Sequence, residues 1–212
     1  MDKIQLAVSV FDKNAQHYQD KYMDLDLYND SYDFFCTQLS RQGASVLDMA
    51  CGPGNISRYL LRRRPDFNIL GIDLAPAMLV LAQQNCPTAR FRIMDCREIS
   101  RLDTTFDGII CGFGLPYLSQ ADATKLIGDA CGLLHPGGIL YLSTMEDDYT
   151  QSGPQTSAAT GDTLFMYFHE KAYLLQALET QGFTVLSVQN KDFIATDGAV
   201  SKDLVLIAQK SK

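Results

Sequence analysis

The residues best suited to chemistry lie close together in the first half of the chain. Asp48, Ala50, Gly52 and Gly54 follow one another at two-residue intervals, and Asp73 stands nineteen residues beyond Gly54. The segment Val46-Leu47-Asp48-Met49-Ala50-Cys51-Gly52-Pro53-Gly54-Asn55 reads as an apolar strand running through small residues into a helix. Glycines allow a backbone to approach a ligand closely, and a helix start presents unpaired N–H groups with a positive dipole end. A carboxylate ending the second strand can accept both hydroxyl protons of a ribose. The pattern therefore suits a nucleoside-bearing ligand; it also suits a plain connection in which Asp73 caps the next helix.

Two nucleoside cofactors fit this outline. A nicotinamide dinucleotide wants a third glycine, but Gly54 is followed by Asn55, Ile56 and Ser57. A carboxylate at Asp48 would repel a pyrophosphate, whereas it favours a ligand carrying an ammonium and a sulfonium. Charge sign selects S-adenosylmethionine, with S-adenosylhomocysteine as product. Methyl transfer from a sulfonium is an in-line displacement, for which positioning can supply roughly 7–11 kcal/mol without a nucleophilic side chain. A general base is needed only where the acceptor must lose a proton. Of the three histidines, His135 reads as structural and His17 lies on an N-terminal helix. His169, which follows the long polar stretch after the fifth strand, is the candidate base, with helix capping or exposure as the alternative. Tyr18, Tyr22, Tyr117, Tyr167 and Tyr173 are candidates for an aromatic pocket.

The elements that must position these groups alternate along the chain. Strands are predicted at Ser45–Met49, Asn68–Ile72, Ala89–Met94, Phe106–Cys111 and Gly138–Thr144, separated by helices near Asn55–Arg64, Ala75–Asn85 and Gln120–Leu134. Pro65, Pro87 and His135-Pro136-Gly137-Gly138 supply the stops. The alternation argues a parallel sheet flanked by helices. Residues 1–43 read as a helical cap. After the fifth strand, the polar segment Asp147–Asp162, within a stretch 145–168, is either a substrate lid or disordered. A helix at His169–Gln181 and strands at Phe183–Gln189 and Asp203–Gln209, turned around Asp197-Gly198, close the chain as an antiparallel hairpin. The fold class is thus α/β: a doubly wound, mostly parallel seven-stranded sheet in one domain spanning 1–212.

With these residues in view, the chain resembles the class I S-adenosylmethionine-dependent methyltransferases of small-molecule, metal-independent type. Their acidic-x-Gly-x-Gly-x-Gly motif is matched by Asp48-x-Ala50-x-Gly52-x-Gly54, with Ala50 in the place of the first glycine, where it is expected to keep a negative φ. The resemblance runs from about residue 42 to 209. It implies that Asp73 reads the ribose, that Leu74 and Met78 meet adenine, and that Asp95 and the Cys96 N–H read the adenine edge. Phe106-Asp107-Gly108-Ile109-Ile110-Cys111 matches the fourth strand, with Cys51 and Cys111 lining the cleft, and Leu133-Leu134-His135-Pro136-Gly137-Gly138 resembles the turn before strand five. Phe11-Asp12-Lys13-Asn14-Ala15-Gln16-His17-Tyr18 is similar to a segment that closes over the cofactor in quinone and N-methyltransferase relatives, making Tyr18 and Tyr22 contacts. Bland readings stand beside these: Asp95 capping a turn, Met78 as ordinary core, Asp107 bonding backbone N–H groups.

Composition narrows the partners. The net charge is −7, and the densest basic cluster, Arg62-Arg63-Arg64, is followed at once by Pro65 and Asp66, so nucleic acid is not expected. Six scattered cysteines without a CxxC pair suit reduced, buried thiols in a cytoplasmic protein. No apolar stretch is long enough for membrane insertion, no metal is expected, and Cys111-Gly112-Phe113-Gly114-Leu115-Pro116-Tyr117 lacks the Asn/Asp-Pro-Pro-Tyr motif of nucleobase and glutamine methyltransferases. The expected partner is a small-molecule methyl acceptor offering N, O or C; homodimer formation is left open. The rivals are a non-catalytic S-adenosylmethionine-binding regulator and an NAD-dependent oxidoreductase.

Overall fold

Alternation within the apolar runs builds the central sheet. Leu47 and Met49 of β1 (Ser45–Met49), Ile109 and Cys111 of β4 (Phe106–Gly112) and Leu140 and Leu142 of β5 (Leu134–Met145) feed one core. Val46, Ile110, Ile139 and Tyr141 on the same strands feed the other. Strands buried on both faces carry near-continuous apolar sequence, which is why they stand out in the chain. The computed structural model describes residues 3–157, 159–194, 198 and 200–211. Within them β2 (Asn68–Asp73), β3 (Arg90–Ile93), β8 (Phe183–Ile194) and β9 (Val200–Lys210) complete a seven-stranded sheet, ordered β3-β2-β1-β4-β5-β9-β8. Only β9 runs antiparallel to its neighbours β5 and β8; the remaining pairs are parallel. The doubly wound α/β fold read from the sequence is the fold observed. Of the expected Asp197-Gly198 turn, Asp197 lies outside the described residues.

Helices cover both faces. Phe35 of α3 (Asn29–Gln38) and Leu60 of α4 (Asn55–Arg63) fill the core on the Tyr141 side. Leu126 and Ile127 of α6 (Gln120–Leu133) and Leu174 and Leu178 of α7 (Lys171–Thr180) fill the opposite one. The remaining helices, α1 (Lys3–Lys13), α2 (Ala15–Tyr22) and α5 (Pro76–Asn85), meet through a small cluster of Ala15, Ala75 and Met78. The Asp12 carboxylate of α1 accepts the Ala77 N–H at 2.6 Å, satisfying an amide of α5's first turn from another element. Among the described residues no helix is long and apolar enough to cross a membrane.

The polar stretch after β5 is not an open loop. Gly153–Thr156 (β6) pairs antiparallel with Thr163–Met166 (β7), a separate two-stranded sheet. The β-branched and apolar residues of β7 provide the pairing surface that the polar composition of 147–162 conceals. Asp162, at the hairpin tip, accepts from Lys13 Nζ at 3.0 Å and Asn14 Nδ2 at 2.8 Å, fastening the hairpin to the end of α1. The C-terminal strands also run further than expected, with Lys191, Asp192 and Phe193 of β8 opposite Asp203, Lys202 and Ser201 of β9. Polar residues on the sheet's edge strand β8 mask that extension.

The loop after β1 corrects one expectation. Ala50 has φ 51°, not a negative value, and Gly52 and Gly54 share the left-handed region at 53° and 80°. Left-handed geometry costs an L-residue about 1–2 kcal/mol, offset in part by the ~0.4–1 kcal/mol that a glycine loses through its freer unfolded chain. Ala50→Gly should therefore stabilise the protein by about 0.5–1 kcal/mol in urea unfolding.

Candidate active site

The carboxyl ends of the parallel strands open into one cavity of about 1020 Å³, at the upper end of the roughly 300–1,000 Å³ range typical of small-molecule sites. Ala50 and Gly52 from the β1 loop form part of its wall. Asp73, Leu74 and Met78 stand at the end of β2 and on α5, and Asp95 and Cys96 follow β3. Tyr18 and Tyr22 of α2 close the wall from the cap; an added Cβ on Gly52 would lie 3.7 Å from the Tyr18 ring. Nine residues singled out in the sequence thus share one concave surface.

Asp73 is the best-connected of them. Its carboxylate accepts the Gly52 N–H at 2.9 Å on one oxygen and the Ala75 N–H at 2.9 Å on the other, so it does support the start of α5, as a helix-capping reading requires. Burial raises its carboxyl above the usual range, against backbone N–H bonds that favour the charged form. An ionised carboxylate has about four acceptor positions, more than these backbone N–H groups fill, so Asp73 keeps acceptor capacity for a ligand. Asp95 caps the short 3-10 turn after β3: burial pulls its carboxyl upward, but Arg97, through its backbone N–H and its guanidinium at 2.6 Å, outweighs that pull and holds it below the usual range.

Cys51 and Tyr117 also line the wall, whereas Asp48, Gly54, Cys111, His169, Tyr167 and Tyr173 do not reach it. Asp48 is fully buried behind the β1 loop, on the same face of β1 as Val46, and accepts a 2.6 Å bond from Ser57 of α4. Its second oxygen, Oδ1, is buried with no hydrogen-bond partner at normal geometry among the described residues. Burial pushes its carboxyl up to about 7. Any influence on a bound cation is therefore exerted through the loop and not by facing the cavity. Gly54 serves as the N-cap of α4, where a Cβ would meet the Ala82 backbone at 3.2 Å. Cys111 is fully buried, packed against Gly114.

His169, the sequence's candidate base, is the clearest correction. It is fully buried and absent from the cavity wall. Its Nε2 donates to the Leu115 carbonyl at 2.8 Å, which leaves Nδ1 as the acceptor for the Tyr173 hydroxyl. Burial lowers its pKa, so the ring is held neutral with both nitrogens committed. It pins the turn after β4 to the start of α7. His17, ranked below it in the sequence, is exposed and lines the cavity instead.

The cavity also contains groups the sequence did not single out. Asp203 of β9 is 2% exposed and accepts the Tyr28 hydroxyl at 2.5 Å; burial pushes its carboxyl up to about 6. Phe113, just after β4, has φ 57° and its ring centroid is 5.1 Å from that of Tyr28. A lone acid opening the wholly apolar run Leu204–Ala208 was the available signal for Asp203.

The buried carboxyls set a pH dependence. Asp48 is held above its unfolded value of about 3.9, so between about pH 4 and 7 the folded state keeps a proton that the unfolded chain has released. Stability therefore falls as pH rises through that window, by at most about 1.4 kcal/mol per unit. The thermal midpoint should climb on acidification from about pH 7.5 to about 5.5, and Asp48→Asn should flatten that climb; an unchanged slope would assign the titration to another group.

Comparison with known proteins agrees with this geometry. Residues 46–138 match the methyltransferase domain family. The chain is 34% identical over 101 residues to a trans-aconitate 2-methyltransferase of Variovorax paradoxus, covering 48% of this chain and 38% of that one. It is 31% identical over 134 residues to a demethylmenaquinone methyltransferase of Deinococcus radiodurans, covering 61% and 52%. The chain thus spans about half the length of these relatives or less. Magnesium protoporphyrin IX methyltransferase from Synechocystis, solved with bound S-adenosylmethionine, shares the fold at TM-score 0.72 and 18% identity, over 100% of this chain and 98% of that one. With its acid-led glycine loop, its acid-tipped second strand and its seven-stranded sheet, the chain has the doubly wound fold of these methyltransferases, and its residues 46–138 are similar to the methyltransferase domain family.

Proposed function

We propose that the cavity binds S-adenosylmethionine and that the chain catalyses transfer of its methyl group to an O, N or C nucleophile of a small molecule. The observation that carries this reading is the wall itself. The left-handed β1 loop, Asp73 with unfilled acceptor positions, Met78, and the Asp95-Cys96 turn succeed one another along the carboxyl edge of β1, β2 and β3. In that order they offer a close-approach backbone, a ribose acceptor, an apolar contact for a purine and a polar edge beside it. Carboxylates line this side of the cavity, which suits a cationic ligand better than a diphosphate.

The cofactor, when bound, supplies an activated methyl group on sulfur. The chain's own residues supply position: Asp73 fixes the ribose, Leu74 and Met78 press on the base, and Tyr18 and Tyr22 cover the reacting end and exclude water. The β6–β7 hairpin acts as a lid, because Gln155, Thr156, Leu164 and Met166 close the far wall while exposed Lys13 and half-buried Asn14 anchor its tip through Asp162. Such surface contacts hold only weakly, typically ~0–1 kcal/mol per pair, so the lid opens at low cost.

Calorimetric titration tests the reading. S-adenosylhomocysteine should bind, and NADH should not. Asp73→Ala should weaken S-adenosylhomocysteine about 10- to 100-fold, the ~1.5–3 kcal/mol of hydrogen bonds to a charged group. Gly52→Val should do worse, since a β-branched residue would need φ near +53° beside Tyr18. An unchanged dissociation constant in Asp73→Ala, or NADH binding in place of S-adenosylhomocysteine, would overturn the assignment.

A further inference from the structure

Asp203 is a carboxylate inserted where the sheet is otherwise apolar. It stands in β9 directly before Leu204, Val205, Leu206, Ile207 and Ala208, all buried, and pairs in register with Met145 at the carboxyl end of β5. Both Asp203 and Met145 line the cavity. Burying a carboxylate is costly unless it is paired, yet among the described residues no Lys, Arg or His lies within ion-pair distance of it. Its partners are the Tyr28 hydroxyl at 2.5 Å and the Ser201 hydroxyl at a distant 3.4 Å. Of about four acceptor positions on an ionised carboxylate, half are unused.

An aromatic surface leads to it. The rings of Tyr18 and Tyr22 lie 4.6 Å apart beginning beside Gly52, Tyr22 continues to Phe193 at 6.4 Å, and Tyr28 meets Phe113 at 5.1 Å. Phe113 reaches this place through a left-handed backbone, held by its N–H bond to the Ser143 carbonyl at 3.2 Å. Non-glycine residues in that conformation persist where the surrounding structure imposes them, often at functional sites.

We propose that Asp203 recognises the methyl acceptor, a neutral, planar molecule whose O–H or N–H donates to this carboxylate, and that it removes the acceptor's proton during transfer. This rests on the reading of the cavity as a methyl-transfer site. The acceptor's lone pair forms the new bond to the methyl carbon as the carbon–sulfur bond breaks and its electron pair stays on sulfur. The acceptor's proton passes to an Asp203 oxygen and leaves to solvent when the site opens. Burial pushes the Asp203 carboxyl up to about 6, which suits a base working near neutrality. Tyr28 is the positioning residue, holding the carboxylate's orientation.

The test uses the full chain saturated with S-adenosylhomocysteine and two matched probe pairs: 1-naphthol against 1-methoxynaphthalene, and benzimidazole against 1-methylbenzimidazole. The wild type should bind the donor member of at least one pair fivefold or more tighter than its methylated twin. Asp203→Leu in a Tyr28→Phe background, which leaves no orphaned hydroxyl, should abolish that preference, and Tyr28→Phe alone should retain part of it. Asp203→Asn, which keeps the Tyr28 bond, should lose at least half of the preference while melting within a few degrees of wild type. Equal binding of both twins by the wild type, or a preference that survives in both Asp203 variants, would overturn the proposal. Failure of S-adenosylhomocysteine itself to bind the wild type would instead sink the cofactor assignment, so the two failures are separable.

Discussion

Backbone amides at the open end of a parallel sheet have no partner within the sheet, and here carboxylates supply them. Asp73 accepts the Gly52 N–H from the loop after β1 and the Ala75 N–H ahead of α5, each at 2.9 Å. Pro76, the first residue of α5, has no N–H to satisfy, and the next amide, Ala77, is taken by Asp12 of α1. One strand end, one loop, one helix start and the N-terminal cap are thereby fixed relative to each other. The side chains filling the junction are correspondingly small: Ala15 and Ala75 beside Met78 let α1, α2 and α5 approach closely enough for these bonds to form. The shape of the cavity depends on this frame.

The frame also sets the electrostatic character of the site. Asp48 and Asp203 are buried and Asp73 is half-buried, and in each the cost of desolvation raises the carboxyl pKa. Asp95, paired with Arg97, and Asp162, paired with Lys13, are instead held down. A protein that collects buried carboxylates around one cavity loses stability by ionising them, and recovers it when a ligand brings positive charge or hydrogen-bond donors. Asp48 exerts its influence through a low-dielectric layer behind the loop, whereas Asp73 and Asp203 meet the cavity directly.

Much of the fold was legible because it is written in strong local signals. β1 and β4, buried on both faces, read as mainly apolar runs despite Asp48 and Asp107 within them, and proline follows α4 and α5 within two residues. The similarity of the Phe11–Tyr18 segment to known caps acquires a physical meaning: Asp12 satisfies α5, Ala15 permits contact, and Phe11 and Tyr18 face the cavity. What was not legible depended on contacts distant in sequence. The β6–β7 hairpin is polar because one of its faces is wet, so composition suggested a loop. His169 looked reactive because of its type and its place after that segment; its burial and its bond to Leu115, 54 positions away, are tertiary facts. Asp203 was hidden in the same way, since only the pairing of β9 with β5 brings it to the site.

Ala50 shows how such a site accommodates a change in its most characteristic motif. The loop conformation demands a positive φ at this position, and alanine adopts it at 51°. The remaining difficulty is space for the methyl group, and the opposing residue resolves it. Gly114 has an ordinary φ of −78°, which any residue adopts, so its backbone does not require glycine. A Cβ there, however, would stand 3.1 Å from the Ala50 Cβ and 2.7 Å from the Cys111 sulfur. The bare backbone expected on the β1 side is supplied instead on the β4 side. The motif is better understood as a clearance between two loops than as a fixed string of glycines, and a chain can meet that clearance from either loop.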